Sequence, residues 1–264
     1  MGERPTLTEV LDDLGDEQDD LHRVVDRVDD LTTATPAEGW DVRDTVSHLN
    51  AFDEEAMKAA TTPQLFLAGL ASIAEDIDGF MDGVLAARRD LPRERLLDDW
   101  RSCGRALVEA LADLDPTAKV PWYGPPMNPV SFATARLMEY WAHGQDVADA
   151  VGVRRTPTAR LRHICHLGVR TRGFSYVVRG QTPSDVDVRV ELEAPDGGTW
   201  SYGDAGSTDR VTGPAEDFCL LVTQRRNRAD LALVATGPAA DEWLDIAQCF
   251  AGPPGAGRPP RAAT

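Results

Sequence analysis

The chain has 264 residues, 42% of them hydrophobic, which is enough to bury the core of one large domain or two small ones. Its net charge of −17 at pH 7 argues against nucleic acid or an anionic membrane surface as a partner, because both attract basic faces. No apolar run approaches the roughly 18 residues of a membrane-spanning helix, and the first residues lack a signal-peptide pattern, so we expect a cytoplasmic protein.

The first 155 residues predict a helical bundle. Leucines and valines recur every three or four residues from Leu7 to Leu31, and Asp41 is a plausible cap for a second apolar stripe. Glycines interrupt the region from residue 65 to residue 90, so its helix boundaries stay open. We predict a domain over residues 1–155 whose helices cover residues 7–31, 41–60, 65–90, 92–115 and 130–151.

The pattern changes after Gly152 and predicts a small α/β domain over residues 156–252. Hydrophobic residues alternate with polar ones over residues 186–192, which is typical of a half-buried strand, and Asp196-Gly197-Gly198 predicts a hairpin turn. The other expected strands cover residues 199–202 and 231–235, and the expected helices cover residues 160–174, 218–226 and 243–250. Residues 253–264 are rich in Pro, Gly and Arg and predict a disordered tail.

One helix carries chemically interesting side chains at helical spacing. Glu139 and His143 are four residues apart and so share a face, with Asp146 three residues further on. His48 is the candidate third ligand, because its helix also has an apolar stripe facing the bundle. Two histidines and one carboxylate would bind a divalent ion and leave a coordination position open. The alternative is an ordinary helix-surface pair together with a core or surface histidine.

Two segments strengthen the metal hypothesis, namely residues 39–49 (GWDVRDTVSHL) and residues 138–147 (MEYWAHGQDV). They resemble the mycothiol-dependent maleylpyruvate isomerase family, which belongs to the DinB-like metal-binding four-helix bundles and carries a sterol-carrier-like C-terminal domain. Residues 218–226 (FCLLVTQRR) resemble an actinobacterial subgroup of these proteins. The resemblance implies His48, Glu139 and His143 as metal ligands, and Asp146 as support for an imidazole N–H.

Further roles follow from the same resemblance. Asp44 is a candidate for similar support, with a plain first-turn helix role as the alternative. An arginine of the second domain, Arg225 or Arg226, is expected to hold a substrate carboxylate. Zinc suits the ligand set best, and nickel or iron are alternatives. Mycothiol would bind at the open position as a thiolate and add to an electrophilic carbon of a small substrate.

The resemblance favours an isomerase or a thiol S-transferase. The alternatives are a thiol-independent metal hydrolase or lyase, and a binding protein without turnover. A cleft lined by Arg225 or Arg226 would suit an anionic substrate, whereas an apolar pocket near Trp122, Tyr123 and Met127 would suit a carrier. The oligomeric state stays open. His163 and His166 could bind a second metal, but the absence of an evident third ligand favours a structural role.

Overall fold

The computed structural model describes residues 5–255 and 257–261, with the side chains of residues 71–75, 77 and 78 left aside. Residues 5–155 form a first, helical unit. Its helices are α1 (Leu7–Asp26), α2 (Val42–Thr61), α3 (Pro63–Glu75), α4 (Ile77–Arg89), α5 (Arg93–Ala112) and α6 (Pro129–Ala150). The four long helices form a bundle in which α1 and α2 each pack against both α5 and α6, and the shorter α3 and α4 pack against α2.

Local sequence fixes where the ligand-bearing helices begin. Asp41 is the N-cap of α2 and forms a capping box with Asp44, so two otherwise unpaired backbone N–H groups are satisfied. Helix α6 begins with Asn128, whose side chain accepts a hydrogen bond from the Ser131 N–H, and Pro129 occupies its first position. Both start sites are set by residues next to the helix, so the register of His48 and Glu139 along the helix axes is well defined.

The second described unit covers residues 156–255 and 257–261. Its elements are α7 (Leu161–Arg170), α8 (Arg172–Val177), β1 (Val188–Glu193), β2 (Thr199–Tyr202), β3 (Asp209–Pro214), α9 (Ala215–Val222), β4 (Val234–Thr236) and α10 (Pro238–Ile246). The strands form a sheet in the order β2-β1-β3-β4, in which β1 and β3 are parallel and the outer pairings are antiparallel. Helix α9 packs against β1 and β3, α10 packs against β3 and β4, and alternate residues of β1 are buried.

Several predicted boundaries differ from the structure. Helix α1 ends at Asp26, so Leu31 is buried from a loop. Residues 65–90 form parts of two helices, and Pro63 opens the first of them. The helix expected to reach Arg226 ends at Val222, because Gln224 has a φ of 57°, which breaks helical geometry.

Strand β3 was not predicted from the sequence, because its glycine and proline are poor strand formers. The described part of the predicted tail has neither helix nor strand, and Asn227 donates a hydrogen bond to the carbonyl of Arg258 within it. Residues 256 and 262–264 of that tail lie outside the described residues. No helix in the described part of the chain is both long enough and apolar enough to span a bilayer.

Candidate metal centre

Helices α2 and α6 bring together the three side chains that the spacing singled out. The Nε2 atom of His143 lies 3.4 Å from Oε2 of Glu139, and the Nε2 atom of His48 lies 4.0 Å from the same oxygen. One ligand atom from each of the three residues lies within 4.8 Å of the others. The two imidazoles and the carboxylate therefore converge on a single point between the helices.

The separations in this cluster fit a shared ion better than direct hydrogen bonds. N–H···O bonds are usually about 2.7–3.2 Å long, and both His–Glu139 distances exceed that range. Two ligands at about 2.0–2.1 Å from a tetrahedral ion are separated by about 3.4 Å. The His143–Glu139 distance of 3.4 Å matches this separation, and the His48–Glu139 distance of 4.0 Å is longer. The Glu139 side chain is 24% exposed, against 15% for His48 and 10% for His143. The cluster is thus partly open on the carboxylate side.

The charge states of the cluster also suit a cation. Burial lowers the pKa of His48 to about 4, and the neighbouring His143 adds to this effect, so the imidazole is neutral near pH 7. Burial acts to raise the pKa of Glu139, but its contacts with His143 and His48 outweigh burial and hold that pKa well below its usual value. An ionised carboxylate beside a neutral imidazole is the protonation state that metal binding needs.

Aromatic rings enclose the two histidines. The ring of Trp40 is stacked 6.0 Å from the ring of His143 at an interplanar angle of 12°, and it also lies 5.1 Å from the ring of His48. Phe52, one turn after His48 on α2, lies 4.7 Å from the His48 ring on centroids. These contacts restrict how far either imidazole can rotate.

Asp146 and Asp44, the two predicted supporting acids, have different surroundings. The Oδ2 atom of Asp146, a fully buried residue, lies 3.5 Å from Nδ1 of His143, on the side of the ring facing away from Glu139. A carboxylate there favours the tautomer with its proton on Nδ1, which leaves Nε2 free to coordinate. Asp44 instead accepts from the Asp41 N–H and pairs with Arg89 at 2.6 Å. These contacts support its alternative role in the first turn of α2.

A buried polar network next to the centre was missed in the sequence analysis. Arg136 donates to Asp53 at 2.8 Å, and the Tyr140 hydroxyl donates to the other oxygen of Asp53 at 2.5 Å. Trp100 in turn donates to the Tyr140 oxygen at 2.9 Å. Burial raises the pKa of Tyr140 well above its usual value, so its hydroxyl remains a donor. The network joins the two ligand-bearing helices within one or two turns of the ligands.

The spacing offered a signal for this network. Arg136 and Tyr140 are four apart on α6 and flank Glu139, while Asp53 follows His48 by five residues on α2. Two opposite charges on apolar helix faces predict a buried pair once the faces are known to meet. A single sequence does not show which faces meet.

The predicted arginines belong to the second unit. Arg225 and Arg226 follow α9 in the turn that contains Gln224. Arg225 donates to the carbonyl of Thr223 at 2.6 Å, and Arg226 donates to the carbonyl of Arg225 at 2.7 Å. His163 and His166 occupy α7, and the only described group of three or more potential metal ligands is the one formed by His48, Glu139 and His143.

A helical bundle with a polar cluster of this kind, followed by a small four-stranded unit, defines a recognisable class. Residues 11–148 match the family model described as the mycothiol maleylpyruvate isomerase N-terminal domain. The match spans just over half of the chain, and the chain belongs to this family, as the sequence motifs predicted.

Relatives and solved structures agree with this assignment. Two uncharacterised proteins of Mycobacterium tuberculosis, from strains CDC 1551 / Oshkosh and H37Rv, are each 46% identical to this chain over 248 residues, covering 93% of it and 96% of their own length. The crystal structure of the mycothiol-dependent maleylpyruvate isomerase is similar at a TM-score of 0.59 and 14% identity, covering 89% of this chain and 96% of that one. A histidine-to-alanine mutant of the same isomerase gives a TM-score of 0.57. The predicted fold class is therefore confirmed.

Proposed function

We propose that this protein is a metal-dependent enzyme that uses mycothiol to isomerise a small electrophilic substrate or to transfer the thiol to it. The observation that carries the proposal is the convergence of two Nε2 atoms and one carboxylate oxygen from facing helices within 4.8 Å. Family membership supports the mycothiol and isomerase parts, because the family model and the similar solved structures bear those names. Zinc is the proposed metal, with nickel and iron as alternatives.

His48, Glu139 and His143 would hold the ion. A divalent ion there would lower the pKa of a thiol or water bound at its open position and so supply a nucleophile near pH 7. The remaining work falls to the chain's own residues. Asp146 orients the His143 ring through Nδ1, and Trp40 keeps that ring in plane.

Substrate binding is the proposed task of the second unit. We assign the substrate carboxylate to Arg225 or Arg226, because a guanidinium binds a carboxylate through two parallel hydrogen bonds. Replacing each arginine in turn by methionine tests this assignment. Replacing the arginine that binds substrate is expected to raise KM for an anionic electrophile and to leave the metal content unchanged. Equal KM values in both variants and the wild type would remove the arginines from the proposal.

Metal content tests the ligand set directly. Full-length protein purified without chelator is expected to hold one divalent ion per chain, and His48→Ala and His143→Ala are each expected to lose it. His166→Ala is the matched control, because His166 is an exposed histidine outside the cluster. Stoichiometric metal in both ligand variants would refute the site.

Turnover assays separate the chemistries. Metal-loaded protein is expected to isomerise or thiolate members of an electrophile panel, such as conjugated enones and dienoic acids, only when mycothiol is present. Turnover without any thiol would replace the proposal by a metal hydrolase or lyase. Metal binding without either activity would favour a small-molecule binding protein.

A further inference from the structure

An aromatic cluster extends from the metal centre along one side of the bundle. We define the aromatic wall as Phe52, Phe66, Trp122 and Tyr123. It begins at the Phe52 ring, 4.7 Å from the ring of His48, and continues to Trp122 and Tyr123 at 6.2 and 5.7 Å from Phe52. Phe66 is stacked on Trp122 at 5.6 Å with an interplanar angle of 4°. The first ring of the wall thus contacts a proposed metal ligand directly.

The wall differs from a closed hydrophobic core. Phe66 is buried, but Phe52, Trp122 and Tyr123 are each only partly buried and present ring surface outward. The Tyr123 hydroxyl oxygen is inaccessible to solvent, so the accessible part of Tyr123 lies elsewhere on the residue. Partly exposed rings next to the proposed metal centre offer apolar surface to a bound molecule.

The wall and the metal centre complement each other chemically. The centre offers two imidazoles and one carboxylate, whereas the neighbouring surface offers ring faces and edges without charge. Aromatic rings bind planar apolar groups by stacking and edge contacts, which add to the hydrophobic gain. A substrate that reacts at the centre would lay its non-reacting part on these rings.

We propose that the aromatic wall binds a planar, apolar part of the substrate, such as an aryl ring, while the reactive end lies at the metal centre. The inference rests on the proposed function, because it needs an ion at His48, Glu139 and His143. It adds a substrate class, namely electrophiles with an aryl or similar planar apolar group. A small acyclic diacid would leave the wall uncovered.

Hydroxamates test this without any turnover. Acetohydroxamate and benzohydroxamate carry the same metal-binding group and differ in a methyl against a phenyl substituent. With full-length, zinc-loaded protein, benzohydroxamate is expected to bind about tenfold more tightly by calorimetry, since burying a ring is worth roughly one such factor or more. Removing zinc with a chelator is expected to abolish binding of both.

Variants of the wall locate the effect. Phe52→Leu keeps most of the apolar bulk but removes the ring next to His48, and Trp122→Leu removes the next ring along the wall. Both are expected to bring the affinity ratio of the two hydroxamates close to one. Trp122→Leu, whose ring packs on Phe52 and Phe66, is also expected to keep acetohydroxamate affinity and zinc content at wild-type levels. The unchanged acetohydroxamate affinity is the internal control for folding.

The failures are distinguishable. If both hydroxamates bind the zinc-loaded wild type equally well, the aromatic wall is not a substrate site and the metal centre stands. If the preference for benzohydroxamate survives in both leucine variants, the ring binds elsewhere and the assignment to this wall is wrong. If the protein takes up no zinc, the proposed function fails and takes this inference with it.

Discussion

The buried pair between Arg136 and Asp53 allows a quantitative test of how the two ligand-bearing helices are held together. The guanidinium and the carboxylate are 2.8 Å apart, and their side chains are 3% and 0% exposed. Replacing Arg136 by methionine leaves a buried carboxylate with only the Tyr140 hydroxyl as partner. At an effective dielectric constant of about 20, charges about 4 Å apart attract by about 4 kcal/mol. We therefore expect Arg136→Met to lower the free energy of unfolding by about 3–5 kcal/mol, the usual range for breaking a buried ion pair.

A double-mutant cycle isolates the pair. Asp53→Asn alone is expected to cost a similar amount, because it leaves the Arg136 charge buried without its counter-ion. The double variant removes both charges and is expected to be less destabilised than the sum of the two single variants by several kcal/mol. Urea titration followed by far-UV circular dichroism measures the three free energies of unfolding. The exposed pair Arg95–Asp99 on α5 is the control, and Arg95→Met is expected to leave the urea midpoint unchanged.

If the two single variants each cost less than about 1 kcal/mol and their effects simply add, the pair behaves like a hydrated surface ion pair. The network would then have no part in holding α2 against α6.

Burial lowers the pKa of His22 from 6.5 to about 4, so the folded state binds fewer protons than the unfolded state between these values. Stability should fall by about 2–3 kcal/mol as pH drops from 6.5 to 4, and urea titrations of His22→Leu should show a flatter pH profile. Gly237→Ala should lower the melting temperature more than Gly197→Ala does. Both glycines have φ above 80°, but only at Gly237 would a Cβ lie 2.4 Å from the carboxyl group of Asp209, which caps α10. If Asp146 orients His143 as proposed, Asp146→Asn should weaken metal binding about 10- to 100-fold in a chelator competition, since its Oδ2 atom lies 3.5 Å from Nδ1 of His143. Unchanged affinity would remove it from the site.

The convergence of His48, Glu139 and His143, the proposed metal ligands, was predictable because it depends largely on local spacing along two helices. Glu139 and His143 share a face at four residues apart whatever the rest of the chain does, and the helix of His48 was recognisable from its cap and apolar stripe. Only the meeting of α2 and α6 needed the fold, and the family motif supplied that expectation.

Features that depend on pairing across the fold were not predictable. Asp53 and Arg136 are 83 residues apart, and nothing near either residue indicates that they meet. Strand β3 carries Gly213 and Pro214 and is recognisable only from its partner strands. The role of Asp44 was ambiguous because an acid in a first helical turn can serve either the helix or a neighbouring site, and its contacts with the Asp41 N–H and Arg89 favour the helix.

The network that joins Asp53, Arg136 and Tyr140 has a consequence for the metal binding proposed above. Small zinc domains fold only when the ion arrives, because nothing else organises their ligands. Here the ligand helices are already joined by buried polar contacts and packed in a bundle, so the ligands are preorganised without help from the ion. A metal bound at the proposed site would then add binding energy to an existing structure, and removing it would leave the bundle folded.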